Sequence, residues 1–162
     1  MRRALPALLA CLAVLGGCGG GSRPVTRAPA APRDPGGLAV VRAWADALRT
    51  GRVDRAASLF ALPAVVQNGA PAQRLSTRAA VRRFNVSLPC GARVLYGIPH
   101  HGWLLVEFRL TDRRGEGAVS PCRGRGGTAA TALRVVRGRI HDWLRVPDMQ
   151  RPAPNPAPGN PS

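Results

Sequence analysis

The apolar residues of this chain change their spacing near Cys90, and this change restricts the fold more than any other feature. Before it, Leu38, Val41, Trp44 and Leu48 recur every three or four residues, as on one face of a helix. After it, every second residue is apolar, which is typical of strands with one buried face. Helices followed by a run of antiparallel strands predict an α+β fold.

Three helices and one short strand are predicted before this change. The first helix carries the apolar face just described and ends at Gly51. A second short helix, "VDRAASLFALP", has Asp54 as its cap and ends before Pro63, and the strand "AVVQNG" follows it. A third helix, "LSTRAAVRRFN", begins at Ser76 or Thr77, because either side chain can cap a helix.

Antiparallel strands are predicted for the second part of the domain. "ARVLYGI" and "HHGWLLVEFRLTD" alternate apolar and polar residues, and the turn at 99–102 joins them. A glycine-rich loop containing Cys122 comes next. The last stretch, "TAATALRVVRGRIHDWLRVPD", predicts a hairpin that turns at Arg137 and Gly138.

The first 18 residues resemble the signal peptide of a bacterial lipoprotein. A short basic segment, Met1–Arg3, precedes an apolar run at 4–15, and Leu15-Gly16-Gly17-Cys18 then resembles a lipobox. The resemblance implies that residues 1–17 are removed and that Cys18 carries a diacylglyceryl group. It therefore implies a lipid anchor in the bacterial cell membrane, with the domain on the extracytoplasmic face.

Two segments of the chain have compositions unsuited to packing. Residues 18–36 begin with the proposed lipidated cysteine and continue in Gly, Ala, Pro and Arg, so we expect a flexible linker. Residues 149–162 consist mainly of Pro, Ala, Asn and Gly, and predict a disordered tail. The folded domain is accordingly expected at 37–148.

The cysteines separate into those of the leader and those of the domain. Cys11 leaves with the signal peptide and Cys18 carries the lipid, so Cys90 and Cys122 remain as a pair. Extracytoplasmic compartments are oxidising, and a disulfide between these two residues is therefore expected. Two free thiols or a metal-binding pair are the alternatives.

The chain is strongly basic, with 24 basic and eight acidic residues and a net charge of +16, and every basic residue is arginine. Within the domain the arginines are scattered, and no series of aromatic residues accompanies them. Because nucleic-acid binding usually requires a basic stripe or a stacking platform, no nucleic acid is expected as a partner. Attraction to anionic lipids or wall polymers needs charge alone and fits better.

The order of elements is similar to that of the NTF2-like, or SnoaL-like, superfamily. The resemblance rests on "VRAWADALRTGRVDRAASLFALPAVV" and on "GRIHDWLRVPD". It implies a cone formed by N-terminal helices packed on a curved antiparallel sheet, with an apolar pocket inside. Members of this superfamily include isomerases, cyclases and dehydratases as well as binding proteins. A cystatin-like relative with one helix over a sheet, or an unrelated envelope fold, are the alternatives.

Candidate residues for the pocket follow from the alternation. Asp142 has the parity of Ile140 and Leu144, so its carboxyl group is expected on the apolar face, where it would suit acid–base chemistry. Tyr96 is expected on the apolar face of its own strand, and Trp44 on the packed face of the first helix. Alternatively, Asp142 pairs with an arginine.

Other polar residues receive less specific expectations. His141 and Trp143 share the other face of their strand with arginines, and this face is expected in solvent. Glu107 and Arg109 are expected to form a surface pair. His100 and His101 have no third ligand nearby in the sequence, so neither a metal site nor a cofactor is expected, and the catalytic residues cannot be named.

The sequence therefore favours a membrane-anchored lipoprotein whose domain is a non-catalytic binding or assembly module. Its expected partners are membrane lipid, through Cys18, and an envelope protein or a small apolar ligand. The alternative is a small-molecule-binding protein or an isomerase-type or dehydratase-type enzyme that uses Asp142 and Tyr96 in an open pocket. A cone filled by Trp44, Phe60 and other aromatic side chains would argue against that enzyme.

Overall fold

In the computed structural model, which describes residues 35–148, helices pack on one face of a curved six-stranded sheet. The signal peptide, Cys18, most of the linker and the tail lie outside these residues. The described elements, in chain order, are α1 (Pro35–Arg49), α2 (Val53–Ser58), β1 (Phe60–Gln67), β2 (Gln73–Leu75), α3 (Arg78–Ser87), β3 (Gly91–His100), β4 (Trp103–Thr111), β5 (Thr128–Val136) and β6 (Arg139–Val146).

The strands of the sheet lie in the order β2-β1-β6-β5-β4-β3. The last four strands form the expected antiparallel meander. The sheet is antiparallel as expected except between β1 and β6, which run parallel. This parallel pairing places β6, the last described strand, in the middle of the sheet, so β6 contacts strands from both parts of the domain.

Several local predictions agree with the structure. The Thr77 hydroxyl accepts a hydrogen bond of 3.1 Å from the backbone N–H of Ala80 and so caps α3. Gly51 follows α1 with a φ of +82°, and a Cβ there would approach the Arg114 backbone to 3.1 Å. Arg137 and Gly138 both have positive φ, as a tight two-residue hairpin turn requires.

The region around Pro63 differs from the prediction. Helix α2 ends at Ser58 rather than just before Pro63, and β1 already begins at Phe60. Phe60 is fully buried and lies opposite Ile140 of β6, so pairing across the sheet outweighs the local helical pattern. Asp54 does not cap α2: the N-cap residue is Arg52, which makes no capping side-chain hydrogen bond, and Asp54 lies in the first turn.

Two further boundaries differ. Helix α1 begins at Pro35, within the segment predicted as linker, and proline at the first helical position suits a helix start. Strand β2 was not predicted, because its three residues are too few to show a period. It pairs with β1 through Leu75, which lies opposite Ala64.

Aromatic side chains form the centre of the core between the helices and the sheet. The Trp44 ring makes edge-to-face contacts with three other aromatic rings. The centroid distances are 6.3 Å to Phe60, 6.1 Å to Phe108 and 6.2 Å to Trp143. The Phe84 ring lies 5.2 Å from Trp143 and extends the cluster toward α3. Edge-to-face contacts of this kind add to the stabilisation from apolar burial.

A buried asparagine connects this cluster to the loop after β4. The Asn85 side-chain oxygen accepts a hydrogen bond of 2.8 Å from the Trp44 indole N–H, and its amide donates to the Val81 carbonyl. Arg113, also buried, donates to the carbonyls of Asn85, Leu88 and Glu116. Burial lowers the pKa of Arg113, because the charged guanidinium loses hydration.

The expected disulfide between Cys90 and Cys122 is present, with Cα atoms 5.3 Å apart. It joins the start of β3 to the loop between β4 and β5. The two cysteines are 32 residues apart, and closing such a loop contributes roughly 3–4 kcal/mol in the chain-entropy account. The Cys122 backbone N–H also donates to the Asp112 carboxylate, at 2.8 Å, and fixes the loop further.

Replacing Asn85 by alanine is expected to lower the free energy of unfolding by about 2–4 kcal/mol. The substitution leaves the buried indole N–H of Trp44 without its partner and removes the bond to Val81. Urea denaturation measures the change. Ser87→Ala, at an exposed position on the same helix, is the control and should change stability by no more than about 0.5 kcal/mol. Equal effects of the two substitutions would contradict this account.

Candidate functional site

A cavity of about 260 Å³ lies beside the aromatic cluster, between α1, the end of α3 and the sheet. We call it the tryptophan pocket. Its apolar wall is formed mainly by Trp44, Leu48, Leu88, Phe108, Leu110 and Trp143. Aromatic rings, including Trp44 and Phe60, fill part of the cone, which is one of the outcomes considered from the sequence. The remaining space forms this pocket.

Two buried polar atoms belong to side chains that line the tryptophan pocket. The Thr131 hydroxyl and the Trp143 indole N–H have no hydrogen-bond partner among residues 35–148. These residues are only 2% and 5% exposed. A buried polar group without a partner carries a cost in free energy. Neither atom is open to the cavity, so the surface that the pocket presents is mainly apolar.

Arg145 is the one described side chain of the pocket wall that carries a charge. Its guanidinium lies 2.8 Å from the Asp148 carboxylate and donates to the Ala130 carbonyl at 2.7 Å. The hydrogen bond from Arg145 lowers the pKa of Asp148 below its usual value. The charge of Arg145 is therefore already compensated within the protein.

A second cavity, of about 400 Å³, adjoins the first. It lies between α3 and the β1–β2 hairpin, and we call it the α3 groove. Its wall is more polar than that of the tryptophan pocket and includes Asn68, Gln73, Ala80, Arg83, Phe84 and Ser87. Asn68 belongs to both walls, so the two cavities meet at the end of β1.

Tyr96 lies on the opposite face of the sheet from the tryptophan pocket, which corrects the sequence prediction. Val94 is opposite Phe108, but Tyr96 is opposite Glu107, so β3 contains one extra residue. This bulge reverses the alternation and gives Tyr96 the face of Glu107. The Tyr96 hydroxyl donates to the Glu107 carboxylate at 3.1 Å. Glu107 is buried in this contact rather than forming a surface pair with Arg109.

A second bulge moves Asp142 away from the pocket in the same way. Arg134 lies opposite Asp142 while Val135 lies opposite Ile140, so His141 is the extra residue in β6. The Arg134 guanidinium donates to the Asp142 carboxylate, which is the alternative that the sequence left open. Trp143, expected in solvent, is instead 5% exposed and faces the core. Of the three residues proposed for the pocket, Trp44 alone lines it.

Sequence reasoning missed Thr131 and Leu88, which line the tryptophan pocket. Thr131 stands in the middle of an apolar strand, and a hydroxyl among apolar neighbours was the available indication. Leu88 lies between α3 and β3, where no periodicity applies. These residues meet only through the fold, since the pocket wall combines positions from α1 to β6.

Within residues 35–148, no three histidine, cysteine or acidic residues lie close enough to hold a metal ion. His100 and His101 lie at the β3–β4 turn with ring centroids 4.4 Å apart. None of the described helices has the length and apolar character needed to cross a bilayer.

No family profile matches the chain, and no curated protein matches it.

Comparison with solved structures identifies the fold. A proposed polyketide cyclase from Sinorhizobium meliloti superimposes with a TM-score of 0.53 at 19% identity, covering 67% of this chain and 94% of its own. An NTF-2-like protein of unknown function from Burkholderia xenovorans gives 0.51 at 14%, covering 76% and 91%. An LEH-like epoxide hydrolase from M. tuberculosis gives 0.51 at 20%, covering 68% and 80%.

The domain has the NTF2-like fold. The expected architecture of helices on a curved sheet is therefore confirmed. At these identities the similarity concerns the fold alone, and the names of the neighbours include both enzymes and a protein of unknown function. The fold is compatible with binding or with catalysis, so the activity must be inferred from the pocket.

Replacing Thr131 by valine is expected to raise the free energy of unfolding of the ligand-free protein by up to about 1 kcal/mol. The side-chain volume is nearly unchanged, and a buried hydroxyl without a protein partner is removed. Thermal and urea unfolding measure the effect. Thr128→Val is the matched control on the same strand and should give no gain, because the Thr128 hydroxyl donates to Asp148. A loss of stability on Thr131→Val would contradict the prediction.

Proposed function

We propose that this chain is a lipid-anchored binding protein that holds a small, largely apolar molecule in the tryptophan pocket and does not transform it. The observation that carries the proposal is the apolar wall of this pocket, formed mainly by Trp44, Phe108 and Trp143. Small-molecule sites are typically apolar cavities with a few polar groups that orient the ligand. At about 260 Å³, the pocket suits a small ligand.

The positions of the ionisable groups favour binding over acid–base catalysis in this pocket. Asp142 and Tyr96 lie on the other face of the sheet, and each is engaged with another side chain, Arg134 and Glu107 respectively. Arg145, which does line the pocket, is paired with Asp148. A general acid or base must reach the atom to which it transfers a proton, and these groups are placed elsewhere or already paired.

Membrane attachment through Cys18 is the second part of the proposal. Its support is the order of basic segment, apolar run and lipobox at residues 1–18. Two acyl chains give stable attachment where one is marginal, and the segment that follows is long enough to hold the domain off the bilayer. The basic surface would add attraction to anionic lipids.

Lipid attachment is tested by labelling cells with a palmitate analogue. The wild-type chain is expected to incorporate the label and to sediment with membranes. Cys18→Ala should abolish incorporation, because the thiol is the acceptor of the lipid. Cys11→Ala is the control and should retain it, since Cys11 lies within the apolar run of the signal peptide. Continued labelling of Cys18→Ala would contradict the anchor.

Ligand binding is tested with 1-octanol, which has an apolar chain and one hydroxyl group. Titration calorimetry on the full-length Cys18→Ala chain in detergent-free buffer should detect saturable binding. Ala129→Leu places extra volume in the pocket wall and should abolish it, while Ala61→Leu, outside the wall, should not. Equal binding by Ala129→Leu and Ala61→Leu would contradict the proposed site.

A further inference from the structure

We propose that the molecule held in the tryptophan pocket is a single-chain amphiphile, with its anionic head group in the α3 groove beside Arg83. The inference rests on the proposed function, because it names the class of ligand that the pocket takes. Three observations support it: the two cavities share a wall residue, their walls differ in polarity, and the arginines that line them differ in whether they are already paired.

The two cavities lie next to each other at the end of β1. Asn68 lines both of them. Phe84 lines the α3 groove, and its ring centroid lies 5.2 Å from that of Trp143 in the tryptophan pocket. In this proposal a flexible chain crosses Asn68, with its apolar part in the tryptophan pocket and its other end in the α3 groove.

The walls of the two cavities differ in polarity. The tryptophan pocket is walled mainly by Trp44, Leu48 and Phe108, which suit an alkyl chain. The α3 groove adds the amides of Asn68 and Gln73, whose N–H groups can donate to an anionic oxygen. A ligand that matches both cavities has an apolar part and a polar end.

Arg83 gives the groove its charge preference. Of the arginines on α3, Arg78 donates to backbone carbonyls and Arg82 pairs with Asp54 and Glu116. Arg83 lines the groove and pairs with no carboxylate among residues 35–148. An exposed guanidinium with its donors available recognises carboxylate or phosphate oxygens by paired hydrogen bonds.

Arg145, the other arginine that lines these cavities, already donates its hydrogen bonds to other groups. Arg145 lies in the tryptophan pocket, but Asp148 and two backbone carbonyls already accept its hydrogen bonds. Burying an anion beside a compensated cation in an apolar pocket is unfavourable, because the anion loses hydration without a matching gain. The head group is therefore placed at Arg83, and the chain in the tryptophan pocket.

The test compares octanoate with 1-octanol, which share the chain and differ in head-group charge. In low-salt buffer, octanoate should bind the full-length Cys18→Ala chain about tenfold more tightly, since hydrogen bonds to a charged group are stronger than neutral ones. Arg83→Gln should remove this preference. Arg55→Gln, which makes the same charge change on α2, should retain it. Raising the salt concentration should reduce the preference in the wild type.

The outcomes separate this inference from the proposed function. If octanol binds and octanoate binds no more tightly, the anionic head group is wrong while the pocket stands. If the preference persists in Arg83→Gln, the head group lies elsewhere and the inference is overturned. If acetate displaces octanoate at equal concentration, the site is a simple anion site and the amphiphile is excluded. Binding of neither octanol nor octanoate overturns both proposals.

Discussion

The hydrogen bond between the Trp44 indole and the Asn85 side chain is the contact on which the arrangement of helices and sheet depends. It joins α1 to α3 within the core, and Arg113 adds the loop after β4 by donating to the Asn85 backbone. In an environment that excludes water, each of these groups is costly without its partner, so the three segments hold one another in a single arrangement. Trp44 is also a wall of the tryptophan pocket, and the position of that wall is therefore set by Asn85.

The parts of the fold that could be predicted are those determined by neighbouring residues. The face of α1, the Thr77 cap and the turn at Arg137–Gly138 each follow from a short stretch of sequence. The disulfide followed from counting cysteines rather than from geometry. The start of β1 could not be found in this way, because Phe60 is placed by its partner Ile140, which lies 80 residues further along the chain.

The candidate site was harder to predict than the fold, and the reason lies in two inserted residues. Alternation along an uninterrupted strand would put Tyr96 and Asp142 in the cone. One bulge in β3 and one in β6 turn both side chains to the other face, where they meet Glu107 and Arg134. No local pattern marked either bulge. A prediction from parity is therefore reliable only as far as the first irregularity in the strand.

The disulfide has a consequence for when the tryptophan pocket takes its final form. Cys90 is one half of the bridge and also part of the wall of that pocket. The bridge joins the start of β3 to the loop between β4 and β5, so oxidation of the two thiols links this part of the wall to that loop. A newly made chain in a reducing compartment would lack this link. Completion of the pocket wall is thus coupled to the redox chemistry of the surroundings.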